Sequence, residues 1–142
     1  MEAKKHKGKW IALAVVLGVL LILVLADVIM ASAYKISVTS VSPDPVPADG
    51  VTQCELVVKV TDFRGKAQVG HKIYVRIKSG GGNFSQQRNT TDENGEIILN
   101  FKPVRASKYN PATNVIIEIR DESNSIFFFI PARIQYEIKV EE

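Results

Sequence analysis

Residues 54–65, CELVVKVTDFRG, decide the fold. Cys54, Leu56, Val58 and Val60 fall on one side of an extended chain, with Glu55, Val57 and Lys59 on the other, and the run stops at a glycine. Successive side chains of a strand point to opposite faces, so this period of two predicts a strand with one face in a core.

The same pattern recurs on both sides. Ile36 and Val38 follow Tyr34 in YKISVTSV (34–41); Ile73, Val75 and Ile77 alternate with Lys72, Tyr74, Arg76 and Lys78; Ile97, Leu99 and Phe101 do so in EIILNF. Val115, Ile117 and Ile119, then Ile134, Tyr136, Ile138 and Val140, complete the series. No amphipathic helical run is present to cover these faces, so a second sheet is expected to do so. The turn signals lie between the runs: SPDPVPADG (42–50), DFRG (62–65) and DENG (92–95), whose Asn-Gly pair favours a hairpin. About seven to eight short strands at this spacing predict an all-β, antiparallel β-sandwich. Residues 79–91, SGGGNFSQQRNTT, are expected to form a loop with a short edge strand near Phe84, and RASKYNPAT (105–113) another loop.

Ahead of the strands stands WIALAVVLGVLLILVLA, residues 10–26, without a charge, extended beyond Asp27 by Val-Ile-Met. At 1.5 Å per residue a helix of roughly 20 residues crosses a hydrocarbon core of about 30 Å. Trp10 fits an interfacial anchor at one end, and Asp27 is expected near the other, hydrated by water or headgroups. Ala14 and Gly18 form a small-xxx-small pair that lets a second helix approach. Lys4, Lys5, Lys7 and Lys9 precede the span and only Lys35 follows it closely, so the N-terminus is expected on the cytoplasmic side of the inner membrane and the sandwich outside. The expected division is a basic tail at 1–9, a transmembrane signal anchor at 10–30 and the extracytoplasmic β-domain at 31–142. Two other readings stay open. Ala31-Ser32-Ala33 has the form of a signal-peptidase site, with cleavage after Ala33. KHKGKW resembles a prepilin-type site cut after Gly8, which would yield a filament subunit, although Leu13 stands where an acidic residue is usual.

With 142 residues the chain has room for one ordinary domain and an appendage. Its net charge of +3 comes from the lysine-rich start, and the remainder is near neutral, so no nucleic-acid surface is expected. Cys54 is the sole cysteine, which excludes an internal disulfide and a cysteine-rich zinc site. It falls on the inward phase of its strand, as a buried apolar side chain. His71 is the only histidine beyond the basic tail, too few for a histidine-based triad or a two-histidine metal site. The carboxylates cluster in turns, where Asp bonds its own backbone, and DENG lacks the ligand series of a calcium loop. No catalytic residue, metal, cofactor or small-molecule substrate is expected.

PADG (47–50), VKVTDFRGKAQVGHKIYVRI (58–77), GGGNF (80–84) and TTDENGEIILNFKP (90–103) together resemble the bacterial immunoglobulin-like domains of group 1, the repeats of invasin and intimin. The resemblance implies an immunoglobulin-like sandwich, a stalk or scaffold role outside the cell without catalysis, and turn positions at Asp62, Gly65, Gly70, Thr91, Asp92 and Gly95. A single domain behind an N-terminal helix departs from the family's tandem arrays and fits a structural or interaction subunit of a cell-envelope complex, with membrane lipid and proteins as partners. The alternatives are the filament subunit and a carbohydrate- or envelope-polymer-binding module using Tyr74 and Tyr109. The expected interaction surface comprises Ile126 and Phe128, alternating with Phe127 and Phe129 if SIFFFIPARI (125–134) is a strand, and the stretch holding Gly80, Asn83 and Asn89. Asn83 and Asn89 also begin Asn-x-Ser/Thr glycosylation triplets.

Overall fold

A computed structural model describes residues 2–123, 127 and 130–142, with side chains from residue 8 onward. A long helix, α1 (Glu2–Ser32), leads into ten strands: β1 (Tyr34–Ser42), β2 (Val46–Pro47), β3 (Cys54–Asp62), β4 (Lys72–Ser79), β5 (Gly82–Phe84), β6 (Arg88–Thr90), β7 (Glu96–Pro103), β8 (Val115–Asp121), β9 (Ala132–Ile138) and β10 (Val140–Glu141). One sheet has the order β1-β3-β7-β5 and the other β6-β4-β8-β9. Every pairing within these two sheets is antiparallel.

The inward phase read from the sequence is the buried one. Leu56, Val58, Val60 and Phe101 of the first sheet face Val75, Ile117 and Ile119 of the second, all removed from solvent, and Cys54 lies among them. Burying each such aliphatic side chain contributes about 1.5–3 kcal/mol against the chain entropy of ordering. Strand β1 follows the alternation to Val38, where a bulge places Thr39 out of register and turns the remainder of the strand.

Two short pairings go beyond the expected strands. After β1 the chain turns through cis peptides at Ser42–Pro43 and Asp44–Pro45, and β2 then runs parallel to β10. There Val46 N–H donates to Lys139 O at 2.9 Å and Ala48 N–H to Glu141 O at 2.7 Å. Residues 79–91, expected as a loop with one edge strand, instead form two edges: β5 borders the first sheet and β6 the second.

Helix α1 extends further in both directions than the expected span at 10–30. Its segment Gly8–Ser32 is long and apolar enough to cross a membrane, and a signal sequence meets the same criteria. Only Ala33 separates α1 from β1, and its N–H still bonds back to Ile29 O at 3.1 Å. Because Tyr34 pairs with Asp62, the end of the sandwich nearest the helix also carries the 62–66 and 92–96 turns, the start of β4 and the end of β8.

Candidate interaction surfaces

Two of the expected turns share this helix-proximal end and one construction. The Asp62 carboxylate accepts the N–H groups of Arg64 (2.8 Å) and Lys66 (2.9 Å), and the Asp92 carboxylate those of Asn94 (2.9 Å) and Glu96 (2.8 Å). In each, the glycine, Gly65 or Gly95, donates its N–H to the aspartate's carbonyl at 3.0 Å. The carboxylates thus satisfy turn backbone that no ladder reaches, which explains their presence without any ligand. Thr91 is buried; its hydroxyl accepts His71 N–H at 2.8 Å and donates to Gln68 O at 2.6 Å, while its carbonyl accepts Gly70 N–H at 3.0 Å. These positions tie the turns to one another rather than to a substrate.

His71 sits at the same end with its ring 5.1 Å from that of Tyr34, the first residue after the helix junction. Its Nδ1–H donates to Asp121 Oδ2 at 2.6 Å, and Asp121 is fully buried. Asp121 Oδ1 accepts Ser123 N–H at 2.9 Å, and Ser123 Oγ accepts Lys72 N–H at 2.6 Å. The structural role expected for His71 is therefore specific: it joins β1, β4 and the exit of β8. The Asp121 partner lies 50 residues away in the chain and carries no sequence signal of the pairing.

Asp27 departs from expectation. Rather than facing water or headgroups, its side chain is completely buried, and its carboxylate oxygens accept the N–H of Phe127 at 3.1 and 3.2 Å. The connection from β8 to β9 thus reaches the helix. Phe127 precedes β9, which starts at Ala132. Ile126 and Phe128 lie outside the described residues. Along the helix Trp10 and Ala14 are exposed, and nothing lies within 4 Å of where a side chain on Gly18 would begin.

The outer face of the second sheet holds a charged cluster. Glu118 points away from the core yet is buried, because Arg76 Nε at 2.8 Å and Arg120 Nε at 2.6 Å close over Oε1. Burial would raise the carboxyl's pKa; the Arg120 hydrogen bond and the charges of Arg120 and Arg76 outweigh it and hold the group below its ordinary value. Nearby, the Arg88 guanidinium stacks over Tyr74 at 5.1 Å. The pairing of Glu118 with Arg120 was open to detection in the sequence, since residues two apart on a strand share a face.

Gly80 lies in the turn between β4 and β5, Asn83 is exposed on edge strand β5, and Asn89 is half-buried on edge strand β6. Tyr109, considered for polymer binding, is almost wholly exposed on a distal loop and remote from Tyr74 on β4. Cys54 is sealed in the core with Sγ–H toward Pro43 O at 3.6 Å, and burial raises its pKa. Among the described residues no group of three or more His, Cys, Asp or Glu is placed to hold a metal ion. Surface concavities of about 390 and 400 Å³ are lined by Ala48, Ser107 and Lys108, and by Lys72, Arg88 and Glu122, respectively.

The family model described as bacterial Ig-like domain (group 1) matches residues 36–125. Among solved structures, the fold is similar to the D00–D0 domains of intimin, with a TM-score of 0.56 and 15% identity, covering 76% of this chain and 48% of that one. It is also similar to a C-terminal 282-residue fragment of intimin in complex with the intimin-binding domain of the translocated intimin receptor, with a TM-score of 0.55 and 14% identity over 75% of this chain and 33% of that one. The chain thus spans less than half the length of these two intimin structures. No curated protein matches the sequence with significance.

Proposed function

Because the chain belongs to the bacterial Ig-like domain family, group 1, we propose that it is a membrane-anchored, non-catalytic interaction subunit of the cell envelope. In this reading α1 spans the cytoplasmic membrane once, the basic N-terminus stays inside and the sandwich stands outside. The observation that carries it is the junction: an apolar helix of spanning length passes through the single residue Ala33 into the first strand of the sandwich.

Recognition of another protein is the role we assign to the sandwich. Edge strands present backbone N–H and C=O groups that can pair with a partner strand. Strands β5 and β6 place two such edges along one side, with Gly80, Asn83 and Asn89 beside them. The intimin fragment of similar fold forms a complex with a protein receptor, which supports protein recognition as the role here.

The test has three steps. In intact cells, protease added outside should digest the β-domain while the chain resists alkaline extraction from the membrane; a domain digested only in inverted vesicles would overturn the orientation. Mass spectrometry of the mature protein should find the N-terminus intact, whereas a start at Lys9 would establish the filament reading and a start at Tyr34 a secreted domain. Partners co-purifying in mild detergent should then be lost when Thr90→Pro removes an outward-facing N–H of the β6 edge, the bonded pairs on either side turning the Asn89 N–H inward to β4.

A further inference from the structure

The end of the sandwich from which the helix leaves differs from an ordinary loop surface. Phe63, at the tip of the Asp62 turn, is 75% exposed; Val69 is 60% exposed and Phe127 54% exposed. All three belong to segments at this end: the turn after β3, the approach to β4, and the connection from β8 to β9. Isolated exposed apolar residues are common, but three around one helix exit need a common environment. Lys35, Arg64 and Lys66 lie at the same end, with Arg64 stacked on the Phe63 ring at 5.1 Å. Of the acids there, Asp62 and Asp92 turn their carboxylates onto their own turn N–H groups, Glu96 pairs with Lys59 at 2.9 Å, Asp121 is buried against His71 and Glu122 lies 3.7 Å from Arg88, leaving Glu93 outward. Aromatic and apolar side chains interleaved with cations match the interface of a bilayer, where rings sit at headgroup level and cations meet phosphates.

The Asp27–Phe127 contact fixes the depth. Asp27 lies five residues before the helix end at Ser32, so Phe127 is held about 7.5 Å up the helix at 1.5 Å per residue. Around that level Leu25, Val28 and Ile29 of the helix are exposed. An irregular backbone can enter this zone only if its polar groups are satisfied by protein, and a carboxylate there also needs a donor. The Phe127 N–H and the Asp27 carboxylate satisfy one another in this way.

We infer that the helix-proximal end of the sandwich rests on the lipid bilayer itself, with Phe127 and Phe63 inserted at the interface beside the helix. This inference depends on the helix spanning a membrane, as proposed above. It adds that the domain stands on the lipid surface in one orientation instead of swinging above it, and it assigns Phe127 and Phe63 to lipid, leaving the β5 and β6 edges for proteins.

Trp10 is the only tryptophan, so fluorescence quenching separates anchoring of the helix from seating of the domain. The full-length chain is reconstituted in vesicles of phosphatidylcholine and phosphatidylglycerol whose acyl chains carry bromine near the headgroup. The unaltered chain reports on Trp10. The variants W10F/F127W and W10F/F63W report on the interface, and W10F/V69W repeats the measurement at another exposed position. The indoles introduced at positions 127 and 63 should emit to the blue of a water-exposed tryptophan and lose intensity to the bromines. Quenched Trp10 with unquenched indoles at all three introduced positions would overturn the inference and leave the anchor standing. Unquenched Trp10 as well would overturn both. Should F127W fail to fold, the position 63 and 69 variants decide by the same readout.

Discussion

Gly95 and Val60 are in direct backbone contact: Gly95 O accepts Val60 N–H at 2.8 Å, and a Cβ added to Gly95 would stand 2.8 Å from Val60 O. The same added atom would lie 2.8 Å from Gln68 N. Gly65, its counterpart in the Asp62 turn, has nothing within 4 Å of that position, although both glycines have positive φ. Two turns with the same hydrogen bonds therefore differ in how far they tolerate a side chain.

Gly65→Ala should destabilise the β-domain by about 1 kcal/mol, the cost of a left-handed residue in open space. Gly95→Ala adds a clash with backbone that cannot move aside, and should cost about 3 kcal/mol. Denaturant midpoints of the detergent-solubilised chain, followed by the β-sheet circular dichroism signal, give the comparison. Equal losses would mean that the 60–95 contact yields easily.

Asp121→Ala removes the acceptor of both the His71 ring N–H and Ser123 N–H at a fully buried position. Leaving these donors unmet should cost about 2–4 kcal/mol. His71→Ala takes one donor away and leaves the Ser123 bond, so its loss should be smaller. Proteolysis should show the β8–β9 connection opening first in both variants, because Asp121 and Ser123 fasten its start to β4.

Glu118 gives the chain an acid sensitivity of known sign. Its carboxyl is held below the ordinary value in the folded state, so its contribution is present above the unfolded pKa of about 4.3 and is lost as pH falls through the lower folded value. Glu118→Gln should lower stability at neutral pH by about 2 kcal/mol, less than for a fully enclosed ion pair because Arg76 is partly exposed. The variant should also show a shallower loss of stability between mildly and strongly acidic pH. Melting temperatures across that range would contradict the assignment if the two curves stayed parallel.

Asp49 is held down to a pKa of about 2, first by the Thr52 hydroxyl at 2.6 Å and then by the backbone N–H groups of Thr52 and Val51, both at 2.7 Å. The turn bonds it makes persist above the unfolded carboxylate value and fail only as pH falls through about 2. Thr52→Val removes the largest cause, so the Asp49 midpoint followed by carboxyl NMR should rise. An unchanged midpoint would assign the effect to the backbone donors alone.

Much of the sandwich is legible in the sequence because its core strands carry their burial in a period of two. Cys54, Leu56, Val58 and Val60 share the inward phase and are all fully buried. The Asp62–Gly65 and Asp92–Gly95 turns are equally readable, since their carboxylates and glycine N–H groups bond within five residues. Strand β6 escapes such a reading because Arg88, Asn89 and Thr90 have no apolar alternation: an edge strand paired to a single neighbour needs none. Strands β2 and β10 are two residues each, too short for any period, and their pairing joins opposite ends of the domain. Asp27 departs from its expected surroundings for a related reason, as its partner is a main-chain N–H one hundred residues away, and a backbone donor is identical at every position in the sequence.

The enclosure of Cys54 bears on how this chain behaves in an oxidising compartment. Its lone thiol is out of reach of oxidants and alkylating reagents while the sheets stay closed. Covalent dimers on a nonreducing gel would therefore count molecules that had opened, and a thiol engineered onto the surface would be the one site available for labelling.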